Sequence, residues 1–452
     1  MNNQNESLFE SLSVPKALSK FILPSVISQL ATLILNLTDA FFVGQTGDTF
    51  QISAMTITMP LILIMTVIAT VFGAGGNANI AASLGAKKPE RAKCFSAFAV
   101  YSSVAVIAAI SILVYAFEGQ LLSILGANES SMGFCQGYIR WTIHIACVPM
   151  VFSQVMAQLF SAQGDTKLAS IGITGAGLLN VILDPVFMFG FDLGIVGAGI
   201  ATCIANYCSA LFFLYQYFKK RKTNVITLQI KHYAWRNGVA KNAFAIGLPA
   251  GLGIFLMLIV DFVRNYLIGM HGTQADMAAW GVVQKLGNAF LQIAIGIAMG
   301  IRPLIAYNYT ARLGKRTKSL IIGSAITMGA YTLMCLMVVL AFPKALVSIF
   351  LPIPEVMPTA VSFARLFIFQ IFGVGFIELF NSLFQVMGQW KIATVSIFIA
   401  KIIVMIPALF LFVSQWGLTG IIATQPVVDT LTAAVLCIML LSFMKKNKER
   451  FI

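Results

Sequence analysis

Five acids fall inside long apolar runs of this chain: Asp39, Asp184, Asp261, Glu378 and Asp429. A charge near the centre of a bilayer costs about 2.5–3.5 kcal/mol on the insertion scale, so such residues persist where they meet a wet cavity, pair with a base or titrate. Asn180 precedes Asp184 by one helical turn, which puts amide and carboxylate on one face. Pro185 follows and leaves the Val181 carbonyl without its usual donor. At the helical rise, Asp39 lies about 8 Å, and Asp184 and Thr202 about 10 Å, in from the ends of their runs. Two carboxylates, an amide, a hydroxyl and a loosened carbonyl then share one depth. All offer oxygen, which suits a proton or a hard cation such as Na⁺, and no other metal set stands out. A structural polar network neutralised by Arg140 is the alternative for the same residues.

The second half of the chain is arranged differently. Asp261 lies three residues before Arg264, a spacing that permits an ion pair on one helix. Lys285 and Lys401 are available to neutralise Asp429 or Glu378. Asp261, Glu378, Asp429 and Lys285 are therefore secondary candidates for ion coupling or substrate contact. Abundant Phe and Met offer compliant apolar lining for flat hydrophobic compounds.

These residues are carried by twelve apolar runs, roughly 18–44, 52–76, 94–117, 138–160, 168–191, 195–218, 243–268, 277–301, 319–342, 359–384, 391–413 and 418–443. Each is long enough to cross a hydrocarbon core of about 30 Å. Apolar residues make up 59% of the chain and charged residues 10%, too few charges for a soluble domain. The expected class is an all-α integral membrane protein with twelve transmembrane helices. The polar start of the chain and the length of the first run argue against a cleavable signal.

The net charge of +14 is unevenly placed. With both termini in the cytoplasm, the inside segments collect Lys87, Lys88, Arg91, Lys93, the basic run 219–222, Arg312, Lys315, Arg316, Lys318 and the tail Lys445, Lys446, Lys448 and Arg450. That distribution follows the positive-inside rule and places the chain in the cytoplasmic membrane. It makes the basic patches orientation signals and contacts for anionic membrane lipids rather than nucleic-acid sites.

The chain also repeats itself. Leu23-Pro24, Gly44, Gly47 and Ala54 recur as Leu248-Pro249, Gly269, Gly272 and Ala279. Leu159-Phe160, Gly164, Lys167 and Ala169 recur as Leu383-Phe384, Gly388, Lys391 and Ala393, and Ser83-Leu84-Gly85 is echoed more loosely by Arg312-Leu313-Gly314. Six spans per copy give both copies one orientation, so the expected arrangement is two six-helix bundles, parallel repeats about a pseudo-twofold axis along the membrane normal. The bundles are expected at 1–218 and 243–452, joined by a basic linker at 219–242. The repeat puts Val404 and Ala408 where the first half has Asn180 and Asp184, so the oxygen-rich set belongs to the first half. Pro24, ahead of Asp39, is a candidate hinge. A tandem duplication inside a membrane points to a transporter working by alternating access.

Other classes find little support. The seven Cys are scattered without a CxxC pair, and no Cys/His cluster suggests a metal. There is no phosphate loop, no Ser/His/Asp or HExxH pattern, and so no sign of an enzyme or of a cofactor beyond the coupling ion.

The motifs together resemble the multidrug and toxic compound extrusion (MATE) family of secondary transporters over about residues 15–443. The resemblance rests on Asp39 ahead of Phe-Phe-Val-Gly at 41–44, Ala-Ser-Leu-Gly-Ala at 82–86, Ala-Gln-Gly-Asp-Thr-Lys at 162–167 and Asn180-Val-Ile-Leu-Asp-Pro185. Gly197-Ala-Gly-Ile-Ala-Thr202, Gly247-Leu-Pro249 and Arg302-Pro-Leu-Ile-Ala-Tyr-Asn308 extend it, the last towards the bacterial drug-exporter branch. It implies a V-shaped pair of bundles and export of cationic amphipathic drugs in exchange for H⁺ or Na⁺. It also implies that Asp39, Asn180, Asp184 and Thr202 form the cation site of the first bundle. The expected working unit is a monomer. The competing expectation is a flippase for a lipid-linked or other anionic lipid, which needs a strongly basic cavity.

Overall fold

The computed structural model describes residues 9–46, 48–221, 224–235, 238–348 and 356–451. Among them it is all-helical, with no strand. Span one is Val14–Gln45, span two Thr49–Gly85, span three Pro89–Ala116, span five Thr166–Pro185 with a π-helical turn Val186–Gly190, and span six Gly194–Lys219. Span four is broken: Glu129–Ile145 and Cys147–Ala162 meet at 48°. Spans seven to ten are Val239–His271, Gln274–Thr310, Gly314–Ala341 and Met357–Val386. The last apolar stretch, Trp390–Lys446, is two spans, because Gly417 at φ 56° and ψ −138° breaks the helix. Spans eleven and twelve lie on either side of that glycine, which completes the twelve expected.

Several helices overrun their apolar runs. Span two continues nine residues past 76 because its polar side chains find partners: the Asn77 amide donates to the Gln158 carbonyl at 2.8 Å and Asn79 to the Asn242 carbonyl at 3.1 Å. Buried donors so satisfied do not end a helix.

The internal repeat is visible in the backbone. Gly164 (φ 100°) and Gly388 (φ 81°) both terminate a helix, and the amides that follow close back on equivalent carbonyls, Asp165 on Phe160 at 3.0 Å and Gln389 on Phe384 at 2.7 Å. This is a Schellman-type ending that favours glycine. At the next turn the counterpart of Arg312 (φ 59°) is Lys87 (φ 56°), and Lys88 and Leu313 donate to Ser83 and Asn308. The loose echo therefore shifts register: Ser83 aligns with Asn308, not with Arg312.

By contacts the chain forms two compact units, Met1–Ser11 with Ile27–Gly247, and Leu12–Val26 with Leu248–Ile452. These bounds depart from the simple halves expected at 1–218 and 243–452. The linker and the start of span seven belong to the first unit, and the start of span one to the second. Glycines explain both. A Cβ on Gly247 would collide with the Val71 carbonyl, and one on Gly75 with the Ala243 carbonyl, so span seven begins flush against span two. A Cβ on Gly296 or Gly300 would come within 2.8 Å of the Val26 or Ile22 backbone, so span one begins flush against span eight. Span one nonetheless runs as one helix through Pro24.

The linker lies along the first unit rather than hanging free. Thr227 and Ser96 exchange hydrogen bonds, the Tyr101 hydroxyl donates to the Leu228 carbonyl, and the Trp235 ring meets Phe98 at a tilt and Phe244 edge-on.

Candidate functional site

The oxygen-rich set assembles where spans five and six pack. Gly172 gives the Phe213 ring room to lie against span five, and its carbonyl accepts from the Ser209 hydroxyl at 3.0 Å. Gly197 lets span six close on the Phe187 backbone, while the Gln51 side chain accepts from the Ile195 amide at 2.7 Å and caps the start of span six. Held this way, Asn180 reaches both neighbours. Its amide nitrogen donates to Asp184 Oδ1 and to Thr202 Oγ1, each at 3.2 Å. Asp184 and Asn180 are 0% and 1% exposed. Both amide protons are committed, yet Asn180 Oδ1 has no hydrogen-bond partner. A buried acceptor left unsatisfied costs about 1–3 kcal/mol. Such an oxygen can accept from a proton donor or coordinate a cation.

The side chain of Asp39 lies outside the described residues, but its backbone position does not. Ala31 meets Gly177 across the interface of spans one and five, where a Cβ on the glycine would sit 3.6 Å from the Ala31 carbonyl. Further along the same two helices, the rings of Phe42 and Phe189 meet edge-on at 6.1 Å. The helices therefore run parallel, and residue 39, between these contacts, comes level with residues 184–186. Arg140, offered as a neutraliser, is exposed at the start of a π-helical turn in span four and takes part in no ion pair among the described residues.

The second unit holds charges of both signs. Arg264 and Asp261 pair at 2.9 Å, and the guanidinium also lies over Trp280 and Phe367 at 5.2 and 5.8 Å from the ring centroids. Lys401 Nζ meets Asp429 Oδ1 at 3.0 Å. Arg302, buried, donates through Nε to Ser382 Oγ at 3.0 Å, one turn beyond Glu378, and its charge acts on Glu378 without a close ion pair. Lys285 is exposed and joins no ion pair among the described residues. Of the two lysines expected to neutralise Asp429 or Glu378, it is Lys401 that pairs with Asp429, while the charges acting on Glu378 are those of Arg302 and Lys401. The three acids of these spans thus stand near the three bases Arg264, Arg302 and Lys401.

The model of the MatE family matches the chain twice, over residues 24–186 and 249–411. The chain belongs to the MatE family. Both bounds of the second match lie 225 residues beyond those of the first, the offset of the repeat. Multidrug export protein MepA of Staphylococcus aureus (strain MSSA476) is 29% identical over 450 residues, 99% of this chain and 98% of that protein. The protein of the same name from Staphylococcus haemolyticus (strain JCSC1435) is 30% identical over 439 residues, 96% and 94% of the two chains. Among solved MatE relatives, the Vibrio cholerae MATE transporter VcmN in the bent form superposes with a TM-score of 0.88 at 22% identity, over the whole of both chains. An outward-facing multidrug resistance MATE family transporter of the MOP superfamily reaches 0.92 at 19% identity, covering 99% of this chain and 100% of that one. The fold of this multi-pass membrane protein is the MatE fold.

Two features of the site escaped the sequence. Arg302 stands one residue past the eighth apolar run and reads as a loop charge, yet the helix continues to Thr310 and buries it. A longer allowance for helix ends finds it. The π-helical turns at Arg140–Ile145, Val186–Gly190 and Ile399–Met405 leave no mark in hydropathy.

Proposed function

We propose that this MatE protein is an antiporter that exports cationic amphipathic compounds across the cytoplasmic membrane in exchange for H⁺ or Na⁺. It works as a monomer with both termini in the cytoplasm. The full-length relatives named for multidrug export support the substrate class. The unsatisfied, buried Asn180 oxygen beside Asp184 and Thr202 carries the ion-coupling part.

Asp184, Asn180 and Thr202 bind the incoming cation or proton, joined by Asp39 from the helix that comes level with them. Charge compensation then changes which packing of the first unit is favoured, with Pro24 as the flexible point of span one, and affinity for the exported compound falls. Release of the cation to the cytoplasm resets the site. One positive charge moving inward supplies about 2.3 kcal/mol per 100 mV.

Ethidium efflux from proteoliposomes tests this, with a proton or a Na⁺ gradient imposed separately. Wild-type efflux follows one of the two gradients, and Asp184→Asn and Asp39→Asn each abolish that dependence. Gradient-driven efflux undiminished in both variants rejects the coupling site.

A further inference from the structure

In each unit a bridge between side chains joins the last two spans. In the first it is Asn180 to Thr202, spans five to six. In the second it is Lys401 to Asp429, spans eleven to twelve. Gly194 and Gly417, at φ 51° and 56°, mark the same turn in each repeat, so Asp429 is the counterpart of Asn206, one turn beyond Thr202. Lys401 lies one turn before Val404, the counterpart of Asn180. Spans eleven and twelve run antiparallel, so a step back on one and forward on the other is the same displacement. The bridge has slid by one turn and changed its chemistry from amide and hydroxyl to ammonium and carboxylate.

Asp429 is fully buried, and its Oδ2 has no hydrogen-bond partner. Span ten is pressed against it: a Cβ on Gly373 would reach the Asp429 backbone. Lys401 is 12% exposed by side chain and sits on the π-helical turn Ile399–Met405, followed by Pro407. Such turns interrupt an α-helix by a single wider turn and are frequent at functional sites.

We infer that Asp429 is a cation site of the second unit whose occupant is tethered: the Lys401 ammonium fills it permanently and spares it any ion from solution. A monovalent primary ammonium is the ligand class, because the carboxylate demands one charge and hydrogen-bond donors. The inference stands whether or not Asp184 couples an ion in the first unit.

Lys401→Ala removes three carbons and the ammonium, the outline of n-propylammonium. Purified full-length Lys401→Ala is expected to unfold at a lower temperature than wild type, since a buried carboxylate loses its partner. Propylammonium chloride is expected to raise that temperature towards wild type, as a ligand of the folded state does. Tetramethylammonium, without donors, leaves it unmoved. The double variant Lys401→Ala, Asp429→Asn melts above the single one and ignores propylammonium. A single variant that melts with wild type, one that propylammonium does not recover, or a double variant that still responds overturns the inference. Should Lys401→Ala fail to fold, the yield of folded double variant decides: recovery by Asp429→Asn supports the pair, and none overturns it.

Discussion

Asn180 joins the site together, although the acids beside it drew attention first. It spends both amide protons on Asp184 and Thr202 and keeps its oxygen for something else. Thr202→Val preserves shape and deletes the acceptor. One neutral hydrogen bond is worth about 1 kcal/mol, so the cation concentration for half-maximal efflux should rise roughly fivefold with the maximal rate little changed. A titration of efflux against the coupling ion reads this directly. The spacing of 180 and 184 made this face legible in the sequence, since i and i+4 leave no freedom on a helix. The partner of Asp429 was not legible. Lys285 and Lys401 are both one side chain from an acid in sequence terms, and only the direction each helix presents separates the exposed one from the paired one.

Helices were legible to the extent that they are apolar. All twelve spans appear, span four is broken, and the turn at Gly417 separates spans eleven and twelve. Their polar extensions and π-helical turns did not appear, because polar residues satisfied across an interface look, in one dimension, like the end of a span. Gly247 shows what a helix contact demands. Gly247→Ala places a methyl against the Val71 carbonyl, and such overpacking should destabilise by about 1–3 kcal/mol, measured by thermal unfolding of the purified protein. Pro24→Ala acts in the opposite sense. It returns an amide donor to the Lys20 carbonyl and stiffens span one, so efflux should slow several-fold while thermal stability holds or rises. Unchanged efflux with raised stability would assign Pro24 a purely structural role.

Over the full chain, composition and the spacing of the repeat foretold the membrane class and the duplication, because apolar length and self-similarity are properties of sequence itself. The unit bounds were hidden, since they depend on which glycines let backbones touch. The expected orientation is open to test. In a background without native cysteines, Lys448→Cys should react with an impermeant thiol reagent in inverted vesicles and resist it in whole cells. The crossing of the chain between its units has a consequence for biogenesis. The first unit is unfinished until residue 247 has left the ribosome, and Leu12–Val26, synthesised early, must wait for residues from 248 onward. A chain cut at the repeat boundary would leave its second part without Leu12–Val26, the segment that part packs against.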